Sequence, residues 1–230
     1  MNTNDHTLCL YTELLNSIGA MSKTHVACCS HMVGNQYYDS KSKIMLVGRA
    51  INGWENYWQH DMSVEQYAKR VLSNSIESNG LSWTRSSNNP SGYNINRSAF
   101  WRVTRGIIQG LGEDISSDWT EKLVWSNLYK IAPKDGGNPS PKLCRLQRES
   151  CKKILLNEID QVQPKDILFI TGMDWFVDFA DLFSIEQVNR TFVVAKGVYG
   201  NSKIVVSNRP EGKPEKESVN EVISIIKYDC

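Results

Sequence analysis

Two stretches place amide and guanidinium groups where a fold could use them: Met45-Leu-Val-Gly-Arg-Ala-Ile-Asn-Gly-Trp54 and Leu123-Val-Trp-Ser-Asn-Leu-Tyr-Lys130. Each is an apolar run that stops in small or polar residues. In an open parallel sheet such a run is a buried strand, and ligands bind beyond the carboxyl ends of those strands. Gly48, Arg49, Asn52 and Gly53 are then expected at one strand end, and Asn127 and Lys130 at another. Neither stretch offers an obvious nucleophile, so the expected chemistry is recognition of a flat polar ligand. The carboxamide of Asn127 has a donor and an acceptor in one plane, which suits the edge of a nucleobase; an Asn after a strand also serves simply to turn the chain. Phe100-Trp101 opens a helix after a polar stretch and is either core or a platform for stacking a base. Arg102 and Arg105 share a helical face, which either meets phosphate or is solvated.

Other chemistries lack their patterns. The Gly48–Gly53 segment is neither the Gly-x-x-x-x-Gly-Lys-Ser/Thr phosphate loop nor the dinucleotide Gly-x-Gly-x-x-Gly. There is no nucleophile elbow and no zinc-protease helix. His6, His25, His31 and His60 all precede the later strand ends, and nothing points to a catalytic triad. The six cysteines (Cys9, Cys28, Cys29, Cys144, Cys151 and Cys230) are irregularly spaced, with no Cys-x-x-Cys. Cys28-Cys29 with His31 is the one grouping that suggests a metal, but it has no second half with ligand spacing. The expectation is reduced thiols, no metal and no cofactor.

These residues need elements to hold them. A chain of 230 residues with 40% hydrophobic content can bury a full core, and its net charge of +1 gives no global pull toward nucleic acid. No run approaches ~20 apolar residues, and no basic-then-apolar leader is seen, so a cytoplasmic, non-membrane protein is expected. Residues 7–18 approximate a helical stripe, and 22–42 read as a loop. Ser63-Val-Glu-Gln66 fits a capping box for a helix to about Ser73. Residues 74–97 read as a long loop, Ser98–Leu111 as a helix stopped by Gly112, and Leu123–Ser126 as a buried strand. Ser140 and Pro141 suit the N-cap and first position of a helix to about Val162. Asp166–Thr171, Thr191–Ala195 and Lys203–Ser207 read as strands, a short helix follows Asp174, and Glu215–Lys227 reads as an amphipathic helix. Alternating strands and helices give an α/β class: a three-layer α/β/α sandwich on a mostly parallel sheet, with an antiparallel pair near the C-terminus. One domain over residues 1–230 is expected, with 1–43 as a helical extension and loop packed on it.

In this order the pieces resemble the uracil-DNA glycosylase superfamily, over roughly residues 44 to 226. Val47-Gly-Arg-Ala-Ile-Asn-Gly53 is similar to that superfamily's Gly-rich first motif. Ser98-Ala-Phe-Trp-Arg-Val-Thr104 is similar to the Asn-x-Phe-Trp segment of the mismatch-specific and single-strand-selective branches, whose aromatic stacks on a flipped base. Trp125-Ser-Asn-Leu-Tyr-Lys130 with Gly137-Asn-Pro-Ser-Pro141 resembles a stretch of the thermostable iron–sulfur branch. Ile204-Val-Val-Ser-Asn-Arg-Pro210 stands where the family has a strand ending in His-Pro-Ser.

The resemblance implies a DNA-repair glycosidase that hydrolyses the N-glycosidic bond of uracil or another deaminated base. Phe100 would stack the base, while Gly48, Arg49, Asn127 and Asn208 would border it. Asn52 would place water, Arg209 would neutralise the leaving base, and Lys130 and Lys213 would meet the nucleic-acid backbone. The implied partner is DNA or a nucleobase-containing ligand, met by a monomer.

The departures bear on catalysis. Arg49 follows the glycine where the family usually has a water-positioning acid or amide, which leaves Asn52 one residue out of register. Arg209 replaces the family histidine, Glu211-Gly-Lys-Pro214 lacks an apolar wedge, and the iron–sulfur branch's N-terminal Cys-x-x-Cys is absent. A non-catalytic nucleobase- or nucleic-acid-binding module on the same fold is therefore the alternative, and an unrelated α/β hydrolase is a third.

Overall fold

A computed structural model describes residues 3–18, 25–53, 57–59, 61–77, 81–84, 94–116 and 118–229. In chain order the elements are α1 (Thr3–Ser17), β1 (Val26–Cys28), β2 (Met32–Val33), β3 (Ile44–Ala50), α2 (Val64–Glu77), α3 (Ala99–Gly110), β4 (Val124–Tyr129), β5 (Ile131–Pro133), α4 (Pro141–Val162), β6 (Asp166–Ile170), α5 (Met173–Phe176), β7 (Ser184–Gln187), β8 (Val193–Tyr199), β9 (Ser202–Ser207) and α6 (Glu215–Ser224). The chain is mixed α/β. It divides into two compact units, one of Met1–His31, Gly48–Glu77 and Ser126–Val162, the other of Met32–Val47, Ser78–Trp125 and Gln163–Cys230.

In the first unit α1 packs against α4 and α2. Tyr11, Leu14, Leu15 and Ile18 of the N-terminal segment are buried, so one face of this helix belongs to the core of the unit. Two local signals set the other helix starts. Ser63 N–H donates to Gln66 Oε1 at 2.8 Å and Gln66 N–H returns to Ser63 Oγ at 3.2 Å, a reciprocal capping box. Leu143 N–H donates to Ser140 Oγ at 3.2 Å, and Pro141 begins α4 where its missing N–H costs nothing. β1 and β5 form a two-stranded antiparallel ladder, with Ala27 opposite Ala132.

The second unit holds most of a seven-stranded sheet in the order β2-β4-β3-β6-β9-β8-β7. β3, β6 and β9 run parallel, with Val47 opposite Phe169 and Ile170 opposite Ser207. Their residues are almost all buried, as strands covered on both faces require. β2 pairs antiparallel with β4, and β9, β8 and β7 form an antiparallel meander. The sheet thus has a parallel centre, with antiparallel pairs toward both edges. α3 packs on α6, and glycines let them approach: a Cβ on Gly106 would lie 2.9 Å from Val219 Cγ2.

Several expectations need correction. Residues 22–42, read as loop, contain β1, β2 and a 3-10 turn at Tyr37–Asp39. β5 and β7 were not visible either, being three and four residues long. β4 runs past Ser126 to Tyr129, so Asn127 lies inside a strand and not beyond its end. Of the long loop expected over 74–97, residues 78–80 and 85–93 lie outside the described residues; α2 continues to Glu77, and Ser82–Thr84 and Ile95–Arg97 are 3-10 turns. No described helix is long and apolar enough to cross a membrane.

Candidate functional site

The first unit is organised around a buried charge cluster that sequence reasoning missed. Glu158 projects from the buried stripe of α4, in line with Cys151, Ile154 and Leu155. Its Oε2 accepts from Lys130 Nζ and from Ser126 Oγ, both at 2.7 Å. Its Oε1 accepts from Tyr11 Oη at 3.2 Å and from the His31 backbone N–H at 3.3 Å. Lys130 Nζ also donates to Ser126 Oγ at 2.7 Å. Burial alone pushes the Glu158 carboxyl up, but Lys130 and His31 more than offset it, and it is held at about 2.

Lys130 was expected at a nucleic-acid backbone. It is instead fully buried, with a side-chain exposure of 0%, and its charge is spent on Glu158. No phosphate can reach it, because the chain passes from β4 into β5 at this residue and turns the side chain inward. The Ser126–Lys130 contact is not a hydroxyl–amine catalytic pair either. Lys130 Nζ is engaged by the Glu158 carboxylate as well as by Ser126, both at 2.7 Å, and its side chain is 0% exposed, so no substrate reaches the pair. The hydrolase alternative gains nothing from it.

Asn127 is buried, and its Nδ2 points at Cys29 Sγ, 3.9 Å away. Its carboxamide therefore faces the interior of the first unit, correcting the expectation of an open base-reading edge. Burial pushes the Cys29 and Cys151 thiols up to about 12, and Cys28 is raised as well, so these thiols stay neutral and unreactive. Among the described residues no group of three or more His, Cys, Asp or Glu is placed to hold a metal ion. Gln147 reads the edge of β5, accepting from Ile131 N–H at 2.9 Å and donating to Ile131 O at 2.8 Å.

Gly48 is buried in β3 and Arg49 half-buried beside it. Asn52 stands in the following turn, exposed, and its Oδ1 accepts the Gly137 N–H at 2.7 Å. Gly53, Gly136 and Gly137 all have positive φ (72°, 101° and 89°), and the Asn52 carbonyl ties their two loops together. The oxygen expected to place water is therefore engaged in closing a loop.

The second unit assembles the remaining expected residues. Phe100 opens α3 and is 8% exposed, its ring edge-on to Trp101 at 5.3 Å. The Arg209 guanidinium carbon lies 5.9 Å from the Phe100 ring centroid, within cation–π range. The same guanidinium is forked onto the Glu211 carboxylate, with Nε–Oε2 at 2.9 Å. Asn208 is drawn back along the sheet, its N–H bonding Phe192 O at 2.8 Å and its Nδ2 reaching Thr191 O at 3.4 Å. Lys213 is exposed in the turn before α6. No protein-family model matches the chain, and no curated protein matches it.

The Glu158 cluster sets an acid limit on stability. The carboxyl sits at about 2 in the folded chain against an ordinary 4.5, so the unfolded chain binds the extra proton between those values. The stabilisation is complete above the ordinary value and is lost as pH falls through about 2. Denaturant unfolding measured across this window should show stability falling with pH. The Lys130→Met/Glu158→Leu double variant should lose that component of the slope, and an unchanged slope would show that the pair does not control it.

Proposed function

We propose that the chain is a nucleobase-binding protein on a uracil-DNA glycosylase-like three-layer α/β frame, and that it holds a base without cleaving its glycosidic bond. The observation that carries this reading is the engagement of the side chains cast for catalysis. Asn52 Oδ1 closes a loop through Gly137 N–H, and the Arg209 charge is divided between Glu211 and the Phe100 ring. A glycosylase needs an activated water and an uncommitted cation where negative charge grows on the leaving base. A binding protein needs only a π-face and charge near it, and Phe100 with Arg209 supplies both. The mixed α/β sheet and the order of the motifs along the chain support the same frame.

Single-stranded oligonucleotides carrying uracil, hypoxanthine or xanthine test the reading. Fluorescence anisotropy should show saturable binding, and alkali treatment after incubation should show no strand breaks. Phe100→Leu should weaken binding by the ~1–3 kcal/mol that one base–aromatic stack contributes. Arg209→Gln should weaken it and flatten its salt dependence. Alkali-labile sites would restore the glycosylase reading, and absence of binding would remove both.

A further inference from the structure

We propose that the polar face of α3 is a binding site for one phosphate-bearing nucleotide, taken free or at a strand terminus, distinct from the Phe100–Arg209 pair. It does not rest on the function proposed above. The site is a cleft of about 310 Å³ in the second unit. Arg102, Arg105 and Gln109 project into it from successive turns of α3. What distinguishes them from an ordinary solvated helix face is that segments outside the helix share the lining: Ile95 and Asn96 of the preceding 3-10 turn, and Ile115 and Trp119 after the helix.

Charge identifies the ligand as an anion. Among the described residues Arg102 and Arg105 line the cleft and no carboxylate does; Arg102 is paired with Glu215, so Arg105 supplies the uncompensated positive charge. The guanidinium of Arg102 is held in place, its Nε 3.1 and 3.2 Å from the Glu215 carboxylate oxygens and its Nη1 2.9 Å from Asn96 O. Arg105 is exposed and makes no hydrogen bond or ion pair among the described residues. A fixed neighbour beside an uncommitted guanidinium suits a phosphate, which accepts two parallel N–H bonds.

The rest of the lining identifies a flat heteroaromatic body. Trp101 and Trp119 line the cleft, and their ring centroids lie 6.1 Å apart within a tryptophan cluster that also includes Trp83 and Trp125. The Asn96 and Gln109 carboxamides each offer a donor and an acceptor for a base edge. The volume lies at the small end of the ~300–1,000 Å³ range of ligand clefts, which suits one nucleotide rather than a dinucleotide cofactor.

Titration of the full chain with uridine 5′-monophosphate, followed by tryptophan fluorescence, tests the site. Uridine alone, inorganic phosphate, and single strands with and without a 5′-phosphate serve as comparison arms. Saturable quenching by the nucleotide, by the phosphorylated strand or by both is the expected result, with uridine and phosphate each weaker. The two positive arms then tell whether the ligand is free or a strand terminus. Arg105→Gln should weaken the affinity about ten- to a hundredfold, the loss of one charge-assisted bond. Its melting temperature should not change, because Arg105 has no hydrogen-bond or ion-pair partner among the described residues. Arg209→Gln should leave this affinity unchanged, whatever it does to oligonucleotide binding. The site is refuted if neither nucleotide arm saturates, if inorganic phosphate binds as tightly as the nucleotide, if Arg105→Gln binds normally, or if Arg209→Gln weakens binding equally.

Discussion

Replacing Glu158 by alanine should cost about 3–5 kcal/mol of folding stability, the typical penalty for breaking a buried ion pair from one side. The substitution strands the Lys130 ammonium in a site with a side-chain exposure of 0%, leaving it, among the described residues, the Ser126 hydroxyl. It also removes the acceptor used by Tyr11 Oη, Ser126 Oγ and His31 N–H. Glu158→Gln should cost less than alanine, because a carboxamide oxygen still accepts from Tyr11 or His31, but it leaves the lysine uncompensated. The Lys130→Met/Glu158→Leu double variant separates charge from hydrogen bonding. Burying neither charge removes the desolvation cost, so the double should be more stable than Glu158→Ala. It should not regain the parent's stability, since Ser126 Oγ and the His31 N–H still lose their acceptor and Tyr11 Oη keeps the longer bond, to Cys29 O at 3.4 Å. Urea unfolding of the four proteins gives the ordering. A Glu158→Ala variant as stable as the parent would mean that the cluster contributes nothing.

How much of this was legible in the sequence differs sharply between helices and strands. Helix starts were set by adjacent residues: Ser63 with Gln66, and Ser140 with Pro141, signal through bonds made within one turn. The central strands were legible because burial on both faces leaves an unbroken apolar run, as in Ile44–Val47 and Asp166–Ile170. β1, β2, β5 and β7 were not, because strands of two to four residues carry too little period for pattern reading and exist through partners distant in the chain.

The site reading failed for the same reason. With β5 unrecognised, Lys130 looked like a cation at a loop, whereas it lies between two buried strands. The sequence does hold the missing signal. Lys130 interrupts the apolar run Leu128-Tyr129-Lys130-Ile131-Ala132, and Glu158 interrupts the stripe Ile154, Leu155, Ile159 and Val162 on α4. Two opposite charges embedded in apolar patterns are candidates for one another. Arg209 and Asn52 were read as free because local sequence does not reveal that Glu211, two residues on, or Gly137, in a distant loop, would engage them.

Gly34→Val should destabilise the second unit by an amount at the upper end of the ~1–3 kcal/mol typical of overpacking. The glycine is not needed for an unusual φ but for space. A Cβ at this position would lie 2.3 Å from the Glu121 carbonyl oxygen and 2.6 Å from the Glu121 Cα. Both are backbone atoms, so no rotamer change relieves the contact, and the segments must separate. Separation breaks the bonds that join them: Gly34 N–H to Leu123 O at 3.0 Å, Gln36 N–H to Glu121 O at 2.8 Å and Asn35 N–H to the Glu121 carboxylate at 2.8 Å. Glu121 belongs to the 3-10 turn Trp119–Lys122, whose first residue walls the α3 cleft. Displacement should therefore pass from Gly34 to Trp119, and Gly34→Val should weaken uridine 5′-monophosphate binding although Gly34 does not line the cleft. Gly34→Ala, with the smaller intrusion, should show both effects in the same order and to a lesser degree. Thermal melts and the fluorescence titration on the same samples check the coupling. A large loss of stability with unchanged nucleotide affinity would place the displacement on the β2 side of the contact, and stability equal to the parent's would show that the Glu121 turn yields without cost.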